Sequence, residues 1–249
     1  MIKQIYLFIV LMFLLFNIFC NERKGEKKIY STDIYSFDSL QFDTFINECR
    51  FLYSRKFPVF NINENLKLSD SLNTFIQTFL GLNQNDKSIS IKQEFKNFVL
   101  NNADIANTNN ENDYKTVFEN TGSMQVYYIS KEYVCLKFDF YEYSGGAHGM
   151  YGSLFFNFDK SGKMLHLKDI VMNNKKLIEC GEKYFRMNQG LSHDENIENA
   201  GYWFTDNKFH LNENVALLGD SLEFCFNPYE IASYAQGQIF IKLPISCIN

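Results

Sequence analysis

The chain has 249 residues, 46% of them hydrophobic, and a formal charge of −5, which is enough apolar material for a real core in one large or two small domains. Aromatic residues reach 17%, with 26 Phe and 15 Tyr against three Pro, a composition that favours β structure and excludes a disordered chain. With an acidic balance there is no global basic field to draw the protein to nucleic acid, and no such partner is expected.

In chain order, Lys3 is followed by an apolar run from Ile5 to Phe16, then Asn17-Ile18-Phe19-Cys20 and the polar stretch Asn21–Lys28. A short basic start and an apolar run of this length predict a secretory signal over residues 1–20. A spanning helix needs ~20 apolar residues, so this run is short for permanent insertion. Cys20 stands where bacterial lipoproteins carry their acylated cysteine, although Asn17 and Phe19 depart from the usual aliphatic and small residues. The expectation is an exported envelope protein held to the membrane by a lipid on Cys20. A soluble periplasmic or secreted form and an uncleaved anchor are the alternatives. Five cysteines remain: Cys49, Cys135, Cys180, Cys225 and Cys247. An odd count is no complete disulfide framework, and no C-x-x-C pair points to zinc or redox work. Cys135 and Cys225 lie in strand-like runs and are expected buried and free. One disulfide can still form in an oxidising compartment.

Residues 21–50 read as a tether and a first ordered element, with a loose helical stripe over Thr44–Tyr53 from Phe45, Ile46, Cys49 and Leu52. Phe57–Ile62 reads as a short extended segment that Pro58 holds at a sheet edge. Ser69 or Asp70 is predicted to cap a helix carrying Leu72, Phe75, Ile76, Phe79 and Leu80, with Gly81 as its stop. Ser90-Ile91-Lys92-Gln93 is a capping box that opens a second helix. Asn101–Asp113, with six asparagines, reads as a surface loop.

The apolar period then changes from 3.6 to 2. Strands are predicted over Met124–Ser130, Tyr133–Tyr143 and Met150–Phe158, followed by a tight Asp159-Lys160-Ser161-Gly162 turn into Lys163–Leu167. A third helix is expected from Asn173 to Met187, and further strands at Lys208–Leu211, Val215–Leu218, Leu222–Phe226 and Gln238–Leu243. Helices grouped early and antiparallel strands grouped late predict an α+β fold with helices packed on one side of antiparallel sheets. The expected organisation is a helical N-terminal module over 51–121 and a β-rich C-terminal module over 122–249.

Three pieces line up in order and spacing: Tyr143-Ser144-Gly145-Gly146-Ala147-His148-Gly149; Phe156 through Gly162 to Ile170; and Phe209-His210-Leu211-Asn212 leading to Leu222–Gly237. Together they resemble the RsiV-like exported domain family, with a related module preceding it from about Phe57. The clear likeness covers roughly residues 122–247. It implies an envelope-facing binding module, with lysozyme, another envelope protein or cell-wall glycan as the imaginable partners. Only Met1–Gln4 precedes the apolar run, so the cytoplasmic sigma-binding segment of an anti-sigma factor is not expected.

His148 is the sharpest candidate for a site, because the flanking glycines let backbone approach a ligand and histidine can bind metal or carry protons. The alternative is that Gly145, Gly146 and Gly149 shape a turn, as Asp159 and Gly162 do further on, and His148 bonds the local backbone. Tyr143, Tyr229 and Tyr234 join His148 as candidate ligand contacts, since phenol rings stack on sugars and anchor protein partners. His166, His193 and His210 are isolated, so no metal is expected. No G-x-S-x-G, P-loop or G-x-G-x-x-G occurs, and Glu223 with Glu230 is a weak candidate for a glycosidase pair. The reading is therefore a non-catalytic binding protein without a cofactor. A cell-wall hydrolase centred on His148 and a purely structural lipoprotein are the alternatives.

Overall fold

A computed structural model describes residues 34–46, 49–82, 87–108, 116–171 and 174–248. The expected signal run, Cys20 and the tether up to residue 33 lie outside the described residues. Asp33–Asn249 forms one compact unit. Among the described residues no helix is long and apolar enough to cross a membrane.

The chain opens with a hairpin of β1 (Tyr35–Ile46) and β2 (Cys49–Phe60), paired antiparallel from Ile46↔Cys49 to Tyr35↔Phe60. This corrects the helix expected over Thr44–Tyr53. Its apparent helical stripe combined residues from two strands; Phe51 and Tyr53 are buried, while Phe45 is 67% exposed on the opposite face. The period is 2, not 3.6. β2 then pairs in parallel with β3 (Val117–Ile129), only over Arg50–Lys56. Pro58 lies beyond that ladder, where its missing N–H breaks no bond to β3.

The parallel step is made by two helices, α1 (Leu66–Phe79) and α2 (Lys87–Thr108). Asn65, not Ser69 or Asp70, caps α1: its Oδ1 accepts the Leu68 amide at 3.1 Å. Ser69 is instead buried and donates to the Phe60 carbonyl at 2.9 Å. Gly81, with φ 67°, ends the helical stretch as expected. α2 starts before Ser90 and continues through residue 108, into the stretch expected as a loop. Buried Asn102 donates to the Phe98 carbonyl one turn back at 2.8 Å, so this asparagine serves a helix; residues 109–115 lie outside the described set.

β3, β4 (Tyr133–Tyr143), β5 (Met150–Asp159) and β6 (Met164–Leu165) follow as an antiparallel meander, completing a six-stranded sheet in the order β1 to β6. β4 has the predicted bounds. β3 begins seven residues earlier than expected because Phe118 is buried and stacks on Phe51 at 4.8 Å; the expected module boundary at 121/122 falls inside this strand. The Asp159–Gly162 turn forms as expected, with Asp159 Oδ1 accepting the amides of Ser161 and Lys163 and Gly162 at φ 83°. The short α3 (Leu167–Ile170) and α4 (Asn174–Gln189) lead to a second sheet of β7 (Val215–Leu217), β8 (Ser221–Phe226) and β9 (Ile239–Pro244). Lys208–Leu211 is irregular rather than a strand, because Phe209 turns inward to pack on Phe185 and Phe204.

Strand alternation sorts the core. One face of the large sheet, with Phe51, Tyr53, Phe118, Leu136 and Phe158, packs on α1 and α2. The outer face of the small sheet, with Leu222, Phe224, Ile241 and Leu243, packs on Leu177 and Phe185 of α4. Between the sheets lie Cys135, Phe155, Ala216 and Cys225. The layers thus run helix, sheet, sheet, helix, an α+β fold. The helices stand on the outer side of each sheet.

Asparagines join the sheets. β6 is two residues long, so most of the outer edge of β5 lacks a strand partner. Asn157 donates to Val215 O at 2.7 Å and accepts from Leu217 N at 2.8 Å. Asn214 accepts from Phe155 N and donates to Ser153 O, and Asn227 accepts from Ser153 N at 2.8 Å. Each carboxamide takes the place of one peptide unit. Cys180 and Cys247 form a disulfide that ties α4 to the chain end across 67 residues. Cys49, Cys135 and Cys225 are buried and free; burial pushes the Cys135 and Cys225 thiols up to about 12.

Asn157→Leu keeps the volume and strands two buried backbone groups, so it should lower the unfolding free energy by about 2–4 kcal/mol, read by urea denaturation. Reducing the disulfide should remove about 4 kcal/mol by the loop-entropy relation, measured as the difference between unfolding curves with and without reductant.

Candidate functional site

The glycine stretch is the turn between β4 and β5. Gly145 and Gly146 have φ of 88° and 97°, values that side-chain-bearing residues rarely adopt. Tyr143 Oη donates to Gly146 O at 2.8 Å, closing the turn on itself. His148 Nδ1 lies 3.1 Å from Gly149 O, the local backbone contact expected of it.

The small sheet supplies the other half of the site. Tyr234, just before β9, stacks on the His148 ring with centroids 3.9 Å apart and planes 20° apart. Its hydroxyl donates to Gly149 O at 2.7 Å. Tyr229, in the turn after β8, holds its Oη 3.5 Å from His148 Nε2 and is 50% exposed. Its φ of 69° is a left-handed conformation that costs a non-glycine residue about 1 kcal/mol or more. The turn is held by Glu230, which accepts the Asn227 amide at 2.9 Å and the Asn212 carboxamide at 2.6 Å.

Two residues that the sequence did not single out complete the surface. Tyr151 stands edge-on to Tyr234 at 5.6 Å, and Tyr141 is its register partner across the hairpin. A Cβ on Gly149 would lie 2.5 Å from the Tyr141 ring, so Gly149 is there to let that ring approach. The available signal was strand parity: once β4 and β5 pair as a hairpin, positions 141 and 151 share a face.

The structure thus brings His148, Tyr229 and Tyr234 together and leaves Tyr143 serving its own turn. The Tyr234 phenol is raised above its ordinary value by burial, and by the neighbouring Tyr151, Tyr141 and Tyr229. Glu223 and Glu230 have separate duties: Glu223 accepts the Tyr127 hydroxyl, while Glu230 holds its turn. His166 precedes α3 and its amide donates to Asp169, His193 meets Asp194, and His210 stands edge-on to Phe204. Among the described residues, no three His, Cys, Asp or Glu side chains gather in a group that could hold a metal ion. What the arrangement offers is stacked ring faces bordered by hydroxyls, suited to a sugar ring or a partner's side chain.

Residues 168–246 match the family described as "Protein of unknown function (DUF3298)", and residues 47–151 match the family described as "Deacetylase PdaC". No curated protein matches the chain. Among solved structures, the chain is similar to a member of the DUF3298 family from Bacteroides fragilis NCTC 9343, with 23% identity, 85% of this chain and 91% of that chain covered, and a TM-score of 0.65. It is also similar to a DUF3298 family protein from Pseudomonas aeruginosa PAO1, with 19% identity, 87% and 94% covered, and a TM-score of 0.59. These likenesses establish the fold.

Burial is the first cause that raises the phenols of Tyr53, Tyr127, Tyr133, Tyr202 and Tyr234. The neutral phenol is favoured in the folded state. Stability should therefore hold below the unfolded tyrosine value of about 10 and fall as pH rises through the raised folded values. Urea unfolding across alkaline pH, with phenolate absorbance followed in parallel, checks this.

Proposed function

We propose that this chain is an exported envelope protein, lipid-anchored through Cys20, that binds a protein or glycan partner on its tyrosine–histidine surface and performs no reaction there. The observation that carries the binding role is the stack of His148 on Tyr234 beside exposed Tyr229, held in a left-handed backbone conformation. Strain kept at an exposed aromatic is a feature of ligand-contacting positions. Export is supported by the Cys180–Cys247 disulfide, since such bonds persist in oxidising compartments. The apolar run ending in Cys20 and the RsiV-like motif resemblance support the same location.

The partner class is lysozyme, another envelope protein or cell-wall glycan. The full-length chain should bind one of a panel of lysozymes and soluble cell-wall glycan fragments saturably, and Tyr229→Ala should weaken that binding at least about tenfold while the thermal midpoint stays within a few degrees. A panel without any saturable binder would reject the reading. Mass spectrometry of the membrane-extracted protein tests the lipid on Cys20.

A second reading, action on cell-wall glycan through His148, is favoured by the deacetylase name of the family that residues 47–151 match. It requires glycan turnover by the intact chain that His148→Ala abolishes; turnover that survives the substitution rejects it.

A further inference from the structure

Position 55 lies in the helix-facing row of β2, between the buried rings of Tyr53 and Phe57. Apolar residues ordinarily fill such a place, yet here it is Arg55. Its Cζ lies 4.0 Å from the Tyr53 ring centroid. Its register partner on β3 is Gly122, where a Cβ would come within 3.3 Å of the Arg55 Cδ. The missing Cβ leaves room first for the Phe138 ring, and beside it for the Arg55 stem.

Hydrogen bonds divide the edges of that group. Nη1 donates to Asn120 O at 3.1 Å and Nη2 to Asn120 Oδ1 at 2.7 Å, so Asn120 takes the end-on edge. Nη1 also donates to Ser54 O at 2.9 Å. A guanidinium has five N–H donors. Nε–H and the second Nη2–H, which form the side-on edge, meet no acceptor among the described residues. Nε is not sealed in, because every buried side-chain N or O among those residues has a partner. Arg55 lines a cleft of about 330 Å³, together with Glu94, Asn97, Asn101, Glu142 and Ser144.

Elsewhere in this chain the same Nε/Nη2 edge grips carboxylates: Arg50 holds Asp43, and Arg186 holds Glu182. The acceptors of Arg55 are all neutral. Two carboxylates share its cleft without pairing with it: Glu94 accepts the Tyr53 hydroxyl, and Glu142 accepts Ser144 Oγ at 3.1 Å.

We infer that this cleft binds a small zwitterion of amino-acid type, its carboxylate on the side-on edge of Arg55 and its ammonium against Glu94 and Glu142. A parallel fork is the geometry a carboxylate prefers, and the volume lies in the range of small-molecule sites. The cleft is separate from the tyrosine–histidine surface: Ser144 lines one and His148 the other, at opposite ends of a single turn.

The test is an NMR titration of the full-length chain with L-alanine, L-lysine, L-alaninamide and N-acetyl-L-alanine, each to about 10 mM. At least one free amino acid should shift the Arg55, Asn120 and Ser144 resonances saturably. The amide and acetyl derivatives, each missing one charge, should bind at least about tenfold more weakly. Glu142→Gln, on an exposed side chain, should weaken the free amino acid about tenfold without moving the thermal midpoint, and Arg55→Lys, which keeps the charge and loses the fork, should weaken it to a similar extent. Failure of both free amino acids to shift these resonances overturns the proposal, as does equally tight binding of the derivatives. Neither result bears on binding at Tyr229.

Discussion

The two sheets are held together by carboxamides along the bare edge of β5. Because β6 ends after two residues, the amides of Ser153 and Phe155 and the Ser153 carbonyl would otherwise face the second sheet unpaired. A buried peptide group without a partner is expensive, typically about 1–3 kcal/mol. Asn214 and Asn227 supply both donor and acceptor at that edge, and Asn157 of β5 does the same for Val215 O and Leu217 N of β7. The apolar contact between the sheets is small by comparison, with Cys135, Phe155, Ala216 and Cys225 at its centre. Hydrogen bonding is directional where apolar contact is not, so these asparagines fix how the sheets register.

The tyrosine–histidine surface inherits its geometry from that joint. His148 comes from the β4–β5 turn, whereas Tyr229 and Tyr234 come from segments flanking β8 and β9. Asn227 links the two levels directly: its side chain accepts the Ser153 amide, and its backbone opens the turn that carries Tyr229. The 3.9 Å stack of His148 on Tyr234 therefore follows from how two separate sheets dock. On the other side of the large sheet, the same turn contributes Ser144 to the Arg55 cleft. One short glycine segment thus borders two surfaces of different chemistry, one aromatic and one charged.

Much of this was legible in the sequence. Period-2 alternation placed β4 at its observed bounds and β5 within one residue, and Asp159 with Gly162 specified the turn from β5 into β6, because each signal is local. Errors arose where locality fails. The hairpin of β1 and β2 imitated a helical stripe because Phe45, Ile46, Cys49 and Leu52 fall on two strands. The cap of α1 moved to Asn65 once Ser69 was needed by the Phe60 carbonyl. Asn102 lost its loop character through burial and back-bonding within α2. Of the candidate site, His148, Tyr229 and Tyr234 could be named from residue type and motif, whereas Tyr141 and Tyr151 required the hairpin register.

The sequence by itself determined the β-rich α+β class, the glycine turn and its histidine, and the buried state of Cys135 and Cys225, since each depends on composition, period or a neighbour a few residues away. Only the tertiary structure decided that β2 runs parallel to β3, that Cys180 pairs with Cys247 rather than with another thiol, that Asn157, Asn214 and Asn227 join the sheets, and that Arg55 keeps an open edge above Tyr53. These are pairings between residues far apart in the chain. Which distant groups meet is settled by the collective packing of the sheets, which no local pattern records.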